Sequence, residues 1–158
     1  SMTGCRVFKA LEALNLSHDS EFALTYGDGL CDVDLTKELE KFRELNTIGM
    51  VLGVHPTARF GLLEISEEGF VSKFAEKPKT KNDFINGGFF FFKGEFKNYL
   101  SSDSKCILEN KPLEKLARDG QLAVYKHEGF WQCVDTLKEK NIVEDFWNSS
   151  ECPWKKWT

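Results

Sequence analysis

The sequence has no Cys-x-x-Cys pair, no Gly-x-Gly-x-x-Gly fingerprint and no Walker loop. The first absence excludes a zinc ribbon or finger, which needs paired ligand spacing. The others exclude a self-sufficient dinucleotide or triphosphate cradle. Cys5, Cys31, Cys106, Cys133 and Cys152 are an odd, scattered set that reads as reduced thiols used as small apolar residues. That usage points to the cytoplasm. Apolar runs are short, the Phe89–Phe92 run falling far below the ~20 residues that span a bilayer. No basic stretch precedes an apolar one at the start, so neither a signal peptide nor a membrane partner is expected. Charge of one sign is also lacking: 21 Lys+Arg stand against 25 Asp+Glu, a net −4 that repels nucleic acid. Proline is scarce at 4, and no repeat or low-complexity linker divides the chain. What remains is 158 residues with 14 Phe and 4 Trp, enough apolar material for one folded domain over residues 1–158.

Periodicity supplies the elements. Val7, Phe8, Leu11 and Leu14 mark a helical face, and Glu21–Tyr26 reads as a strand ended by Gly27-Asp28-Gly29. Asp34 caps a helix with the stripe Leu35, Leu39, Phe42 and Leu45, followed by a buried strand at Ile48–Val54. Strands at Phe60–Ile65 and Phe70–Ala75 flank the turn Glu67-Glu68-Gly69. The strand Phe84–Phe92 is interrupted by Gly87-Gly88, which signals a bulge or a close backbone approach. Pro112 and Gly120 bracket a helix at Leu113–Asp119, and strands follow at Leu122–Lys126 and Phe130–Val134. Thr136 with Glu139 forms a capping box for a helix over Leu137–Trp147, and the closing Trp-containing tail packs its indoles down. Strands alternating with helices, with hairpins between, predict an α/β fold with a mixed, mostly parallel sheet flanked by helices.

Chemistry concentrates at a few strand ends. Asp28, between two glycines after an apolar strand, can meet a ligand or cation closely; the plainer alternative is an Asp-Gly turn. Asp135 follows another apolar strand, and its plainer role is a helix cap. Two such carboxylates can hold Mg²⁺, a hard cation that takes oxygen ligands. Glu76 and Lys77 sit before Pro78, as a hydroxyl acceptor and a phosphate-binding charge, or simply as a charged turn. Asn86-Gly87-Gly88 offers an amide beside bare backbone, or a β-bulge. Asp32 and Asp34 form an Asp-x-Asp pair of the kind that holds metal in some glycosyltransferases, but Asp34 is better used as a cap. His18, His55 and His127 read as structural or surface residues.

The order of these segments resembles one family. Ser1-Met2-Thr3-Gly4-Cys5-Arg6, Thr25-Tyr26-Gly27-Asp28-Gly29, Ala58-Arg59-Phe60-Gly61 and Glu76-Lys77-Pro78 come first. Ile85-Asn86-Gly87-Gly88-Phe89-Phe90, Glu128-Gly129-Phe130-Trp131-Gln132, Asp135-Thr136-Leu137 and Pro153-Trp154-Lys155 complete the set. Together they are similar to the glucose-1-phosphate cytidylyltransferases among the sugar nucleotidyltransferases. The resemblance implies a nucleotide-diphospho-sugar transferase-like, Rossmann-like fold, N-terminally truncated, because members begin with a Gly-Gly-x-Gly-Thr-Arg loop that these residues lack. It also implies roles by position. Asp28 and Asp135 would be the Mg²⁺ ligands, and Lys77 would face the sugar phosphate. Glu76 and Asn86 would lie near glucose hydroxyls, with Gly88 lining the pocket and Ser1, Arg6 and Gly27 beside the nucleotide. The implied partners are glucose 1-phosphate or a related sugar phosphate, and CTP once an N-terminal segment is supplied. An open sheet edge would call for a homo-oligomer or a complementing N-terminal chain. The alternative is a non-catalytic sugar-phosphate-binding or self-associating module of the same ancestry. Cys5 favours it, because a second Gly is usual there and a Cβ would crowd a ligand-approaching backbone.

Overall fold

Alternation of side chains along one phenylalanine-rich strand organises the interior. The computed structural model describes residues 1–56, 62–75 and 84–156. Helix α1 (Thr3–Leu14) leads into strands β1 (Glu21–Thr25) and β2 (Gly29–Cys31), helix α2 (Leu35–Leu45) and strand β3 (Gly49–Val54). Strands β4 (Leu62–Ile65), β5 (Val71–Ala75) and β6 (Ile85–Lys93) follow, then a 3-10 helix at Gly94–Tyr99. Helix α3 (Lys111–Arg118), strands β7 (Leu122–His127) and β8 (Trp131–Cys133), and helix α4 (Leu137–Asn148) complete the order.

Strand β6 sits inside a four-stranded sheet of order β1-β6-β3-β7. Successive side chains on a strand face opposite ways, so its apolar run feeds two cores at once. Phe90 and Phe92 join Leu11, Phe96 and Leu116 on one face, and Phe91 joins Phe42 and Met50 on the other. Phe92 and Phe96 stack with ring centroids 4.0 Å apart. Each fully buried ring contributes roughly 1.5–3 kcal/mol of transfer free energy.

The α/β class holds, with one correction to the sheet. β1–β6 and β3–β6 are antiparallel, and β3–β7 is the parallel pairing, so among the described residues the sheet is mostly antiparallel. The reason is β6. It enters from the β4–β5 hairpin rather than from a crossover helix, and inserts between two strands running the other way. Two elements had no pattern to announce them. β2 is three residues long, and the 3-10 helix is a single short stretch over Gly94–Tyr99.

The capping arguments hold at atomic level. The Asp34 carboxylate accepts the backbone N–H groups of Thr36 and Lys37 at 3.0 and 3.2 Å, which fixes the start of α2. Thr136 and Glu139 form the capping box of α4. In the tail, Trp154 stacks on Phe130 with centroids 5.4 Å apart. Inside α2 Glu38 is fully buried, and neither carboxyl oxygen has a hydrogen-bond partner. Burial pushes its carboxyl up to about 7, so it is protonated through the acidic range.

Candidate functional site

β2 and β8 pair antiparallel as a short ribbon, with Gly29 opposite Cys133 and Cys31 opposite Trp131. The ribbon is tied to the main sheet by the Trp131 indole, whose Nε1–H donates to the Gly87 carbonyl at 2.8 Å. That carbonyl lies in an irregularity of β6, where the register with β3 slips between Val51 and Gly53. The Asn86 side-chain oxygen accepts the Gly88 N–H at 2.9 Å, and Gly88 takes a φ of +80°. A Cβ at Gly88 would lie 3.0 Å from the Tyr26 ring, so this position needs glycine on both counts. The bulge reading of Asn86-Gly87-Gly88 is therefore correct. Gly88 supports Tyr26, whose N–H donates to the Gly88 carbonyl at 2.8 Å.

One end of the ribbon gathers Asp28, Cys133 and Asp135. One ligand atom from each lies within 4.8 Å of the other two. The Val134 N–H donates to the Asp28 carbonyl at 2.8 Å, which clips the two segments together. Asp135 is not the helix cap. Thr136 fills that role, and the Asp135 N–H donates instead to the Glu139 carboxylate at 2.9 Å. Its own carboxylate accepts the Cys133 thiol at 3.3 Å. Among the described residues no hydrogen bond or ion pair reaches the Asp28 carboxylate. Two juxtaposed carboxylates with no ion-pair partner among the described residues form a donor set suited to a divalent cation, and their hard oxygens fit Mg²⁺. Burial pushes the Cys133 thiol up to about 11, and the hydrogen bond to Asp135 and the charges of Asp28, Asp135 and Glu139 add to it.

Beside Asp28 opens a cleft of about 540 Å³, lined by Thr3, Arg6 and Val7 of α1, the segment Leu24–Asp28, and Leu108 and Glu109. That volume suits a sugar phosphate. Arg6 is the cationic residue of this lining, and it makes no ion pair among the described residues. Glu109 crosses the cleft floor, accepting the Tyr26 hydroxyl on one oxygen and the Thr3 hydroxyl on the other at 3.1 Å. Asn86 donates to the same Tyr26 hydroxyl at 3.5 Å. Burial, reinforced by the bond to Glu109, holds the Tyr26 phenol well above its ordinary value.

The other end of the ribbon presents Cys31, Asp32 and His127, likewise within 4.8 Å of one another. Here the carboxylate is fully engaged. Asp32 Oδ1 accepts the Phe130 N–H at 2.7 Å and His127 Nε2–H at 2.9 Å, and Lys156 Nζ lies 3.5 Å from Oδ2. His127 Nε2 faces a second acceptor, the Phe130 carbonyl at 3.3 Å, so that nitrogen carries a hydrogen. Burial works to raise the Asp32 carboxyl, but the bonds from Phe130 and His127 and the charges of His127 and Lys156 outweigh it and hold it below its ordinary value. Gly129 has no room for a side chain, because a Cβ would fall 2.5 Å from Asp32 Oδ1.

The structure thus brings Asp28 and Asp135 together and sets Arg6 and Gly27 in the adjoining cleft. Ser1 is exposed and outside the cleft lining, and Asn86 reaches the cleft through Tyr26. Glu76, Lys77 and the Ala58-Arg59-Phe60-Gly61 segment lie outside the described residues. Cys5 is buried and its thiol donates to the Ser102 carbonyl at 3.3 Å, so the side chain points into the core. Sequence reasoning missed Glu109 and Cys133. Nothing local announces Glu109, whereas strand alternation puts Cys133 on the same side as Asp135.

Comparison with known proteins gives consistent results. A model of the nucleotidyl transferase family matches residues 7–146. The probable glucose-1-phosphate cytidylyltransferase of Bacillus subtilis is 37% identical over 149 residues, covering 94% of this chain and 58% of the relative. Glucose-1-phosphate cytidylyltransferase of Salmonella typhi is 36% identical over 157 residues, covering 99% of this chain and 60% of the relative. The chain therefore spans about three-fifths of the length of these relatives. Among solved structures, HddC of Yersinia pseudotuberculosis aligns with a TM-score of 0.63 at 21% identity, over 92% of this chain and 62% of that one. A putative glucose-1-phosphate thymidylyltransferase of Bacillus anthracis gives 0.65 at 15% identity, over 99% and 62%. At these identities the two structures show the shared fold.

Proposed function

We propose, from the premise that this chain belongs to the nucleotidyl transferase family, that it carries the sugar-phosphate half of a Mg²⁺-assisted cytidylyl transfer. The reaction is attack by a phosphate oxygen of glucose 1-phosphate on the α-phosphorus of CTP, giving CDP-glucose and pyrophosphate. The observation that supports it most is the juxtaposition of Asp28 and Asp135 beside a cleft whose arginine, Arg6, makes no ion pair among the described residues.

Each group has a task that its setting allows. Asp28 and Asp135 would hold Mg²⁺, which when bound offsets the charge of the reacting phosphates. Arg6 faces the cleft as a fork of N–H donors matched to phosphate oxygens. Glu109, fixed by Tyr26 and Thr3, presents acceptors for sugar hydroxyls, and Asn86 steadies the same tyrosine. The attacking phosphate is already anionic, so no general base is needed and rate enhancement comes from alignment and charge neutralisation. By resemblance, Lys77 and Glu76 would add a phosphate contact and a sugar contact. The inward-pointing Cys5 removes the steric argument for a non-catalytic module.

Calorimetry of glucose 1-phosphate binding with and without Mg²⁺ tests this reading. Binding should be strengthened by Mg²⁺, and Asp28→Asn or Asp135→Asn should abolish that strengthening, a loss of about 10–100-fold. Pyrophosphate release from CTP and glucose 1-phosphate, if present, should vanish in the same variants. Binding that ignores Mg²⁺ and survives both substitutions would overturn the reading.

A further inference from the structure

The cleft beside Asp28 holds a carboxylate and a guanidinium that are not paired with each other. Glu109 and Arg6 both line it. Among the described residues Arg6 makes no ion pair, and the two Glu109 oxygens accept the Tyr26 and Thr3 hydroxyls instead. We propose that Tyr26 is a positioning residue, whose hydroxyl holds Glu109 away from Arg6 and so leaves the guanidinium free for an anionic ligand. This rests on the reading of the cleft as a sugar-phosphate site, and deepens it by naming what keeps the phosphate-binding charge available.

The phenol is the fixed partner in this arrangement. The Tyr26 ring packs on Phe90 with centroids 5.5 Å apart and against the Gly88 backbone, and the Tyr26 N–H is held by the Gly88 carbonyl at 2.8 Å. Its hydroxyl therefore ends at one place whether or not Glu109 meets it. Asn86 donates to that hydroxyl oxygen at 3.5 Å, which leaves the phenol's own hydrogen for Glu109. Burial, with the Glu109 bond behind it, keeps the phenol protonated and thus a donor. Glu109 is held by less. Its backbone lies in the turn before α3, beside Leu108, whose N–H donates to Thr3 Oγ1 at 2.9 Å, and its side chain is exposed. Thr3 and Arg6 share one face of α1, a spacing that puts Cβ atoms about 5–6 Å apart. A carboxylate already 3.1 Å from the Thr3 hydroxyl is therefore within a helical turn of the guanidinium. Released by Tyr26, it would take up a charge-assisted pair with Arg6 and compete with phosphate for the same fork of N–H donors.

Titration of the full chain with inorganic phosphate in the absence of divalent cations, followed by nuclear magnetic resonance at the Arg6 Nε–H, tests the assignment. Tyr26→Phe keeps the ring in its packing, and its dispersed spectrum reports that it is folded. It should bind phosphate about fivefold more weakly, with the Arg6 signal already displaced before phosphate is added. Removing the competing charge should undo this. Glu109→Gln should strengthen phosphate binding about fivefold more in the Tyr26→Phe background than in the unaltered chain, the coupling that a double-mutant cycle reads. Asp28→Asn, which removes a different carboxylate of the cleft, should act equally in both backgrounds. A merely structural role for Tyr26 gives a loss with no such coupling, so equal effects of Glu109→Gln in the two backgrounds overturn the proposal. So does a Tyr26→Phe variant that binds phosphate as the unaltered chain does, or coupling of Tyr26 to Asp28 in place of Glu109. Failure of the unaltered chain to bind inorganic phosphate or glucose 1-phosphate would instead overturn the reading of the cleft, so the two failures are distinguishable.

Discussion

The two ends of the β2–β8 ribbon hold the same kinds of side chain in opposite settings. Asp28 and Asp32 are four positions apart, each beside a cysteine and each facing an element from the far end of the chain. At Asp32 the protein supplies donors of its own from Phe130, His127 and Lys156. At Asp28 it supplies none among the described residues, and sets a second carboxylate opposite instead. A carboxylate satisfied by the protein fixes the fold, while one left beside another carboxylate raises the energy of the free protein and lowers that of a cation complex. On the proposed reading, the contrast separates a structural cluster from a cation-binding one where residue types alone do not.

The sharpest way to break the comparison is to remove each carboxylate and measure stability. Asp32→Ala should destabilise the fold by about 1–3 kcal/mol, because the half-buried donors of Phe130 and His127 lose their acceptor. Asp28→Ala should stay within about 0.5 kcal/mol in denaturant titrations without divalent cations. The pH dependence carries the same signature. The folded Asp32 carboxyl lies below its ordinary value of 3.8, so its contribution is present above that value and is lost as pH falls through the folded one. Asp32→Ala should flatten that acid limb while Asp28→Ala leaves it intact. Equal destabilisation by both variants would mean that the two ends are not functionally different.

A third carboxyl, Glu38, sharpens the comparison by showing burial with neither donors nor a cation. It is fully buried and unpartnered, and its charge is among those acting on the Cys31 thiol at the Asp32 end. Its folded value of about 7 lies above the unfolded 4.5, so the folded state holds more protons between those values. Stability is therefore unaffected by this group below about pH 4.5 and declines as pH rises toward 7. Above that the full cost is present, about 3 kcal/mol by the linkage relation. Glu38→Gln cannot ionise, and it should raise stability at pH 8 by about 2 kcal/mol and leave it nearly unchanged at pH 4. Chemical denaturation at the two pH values measures this, and an equal change at both would show that ionisation of Glu38 is not the cause.

The sequence made one end of this comparison more legible than the other. Asp28 and Asp135 stood out because glycine, an apolar strand and a capping box flanked them, and motif order named them together. Their meeting in space depends on β2, three residues that carry no periodicity to read. Asp32 looked like half of an Asp-x-Asp pair, yet its partners come from the end of β7, the β7–β8 connection and Lys156, contacts set by tertiary structure alone. The antiparallel insertion of β6 is equally invisible locally, since a strand's own pattern records its burial but not the direction of its neighbours. The caps at Asp34 and Thr136 were legible because a cap is a contact between residues two or three positions apart.

That last point yields the smallest test, which joins local structure to the site. Among the partners of the Glu139 carboxylate are the N–H groups of Asp135 and Thr136 at 2.9 Å each and the Thr136 hydroxyl at 3.0 Å. The capping box therefore holds the backbone of Asp135 as well as opening α4. Thr136→Ala removes the hydroxyl and should cost about 1 kcal/mol of stability, the usual value of a cap. It should also weaken Mn²⁺ binding by about threefold, because Asp135 loses part of its positioning, with Thr136→Ser restoring both. The Asp32 end should not respond, so the acid limb of the stability profile keeps its shape. Loss of stability with Mn²⁺ affinity unchanged would show that the cap serves the helix alone, and that Asp135 is positioned by the ribbon without help from α4.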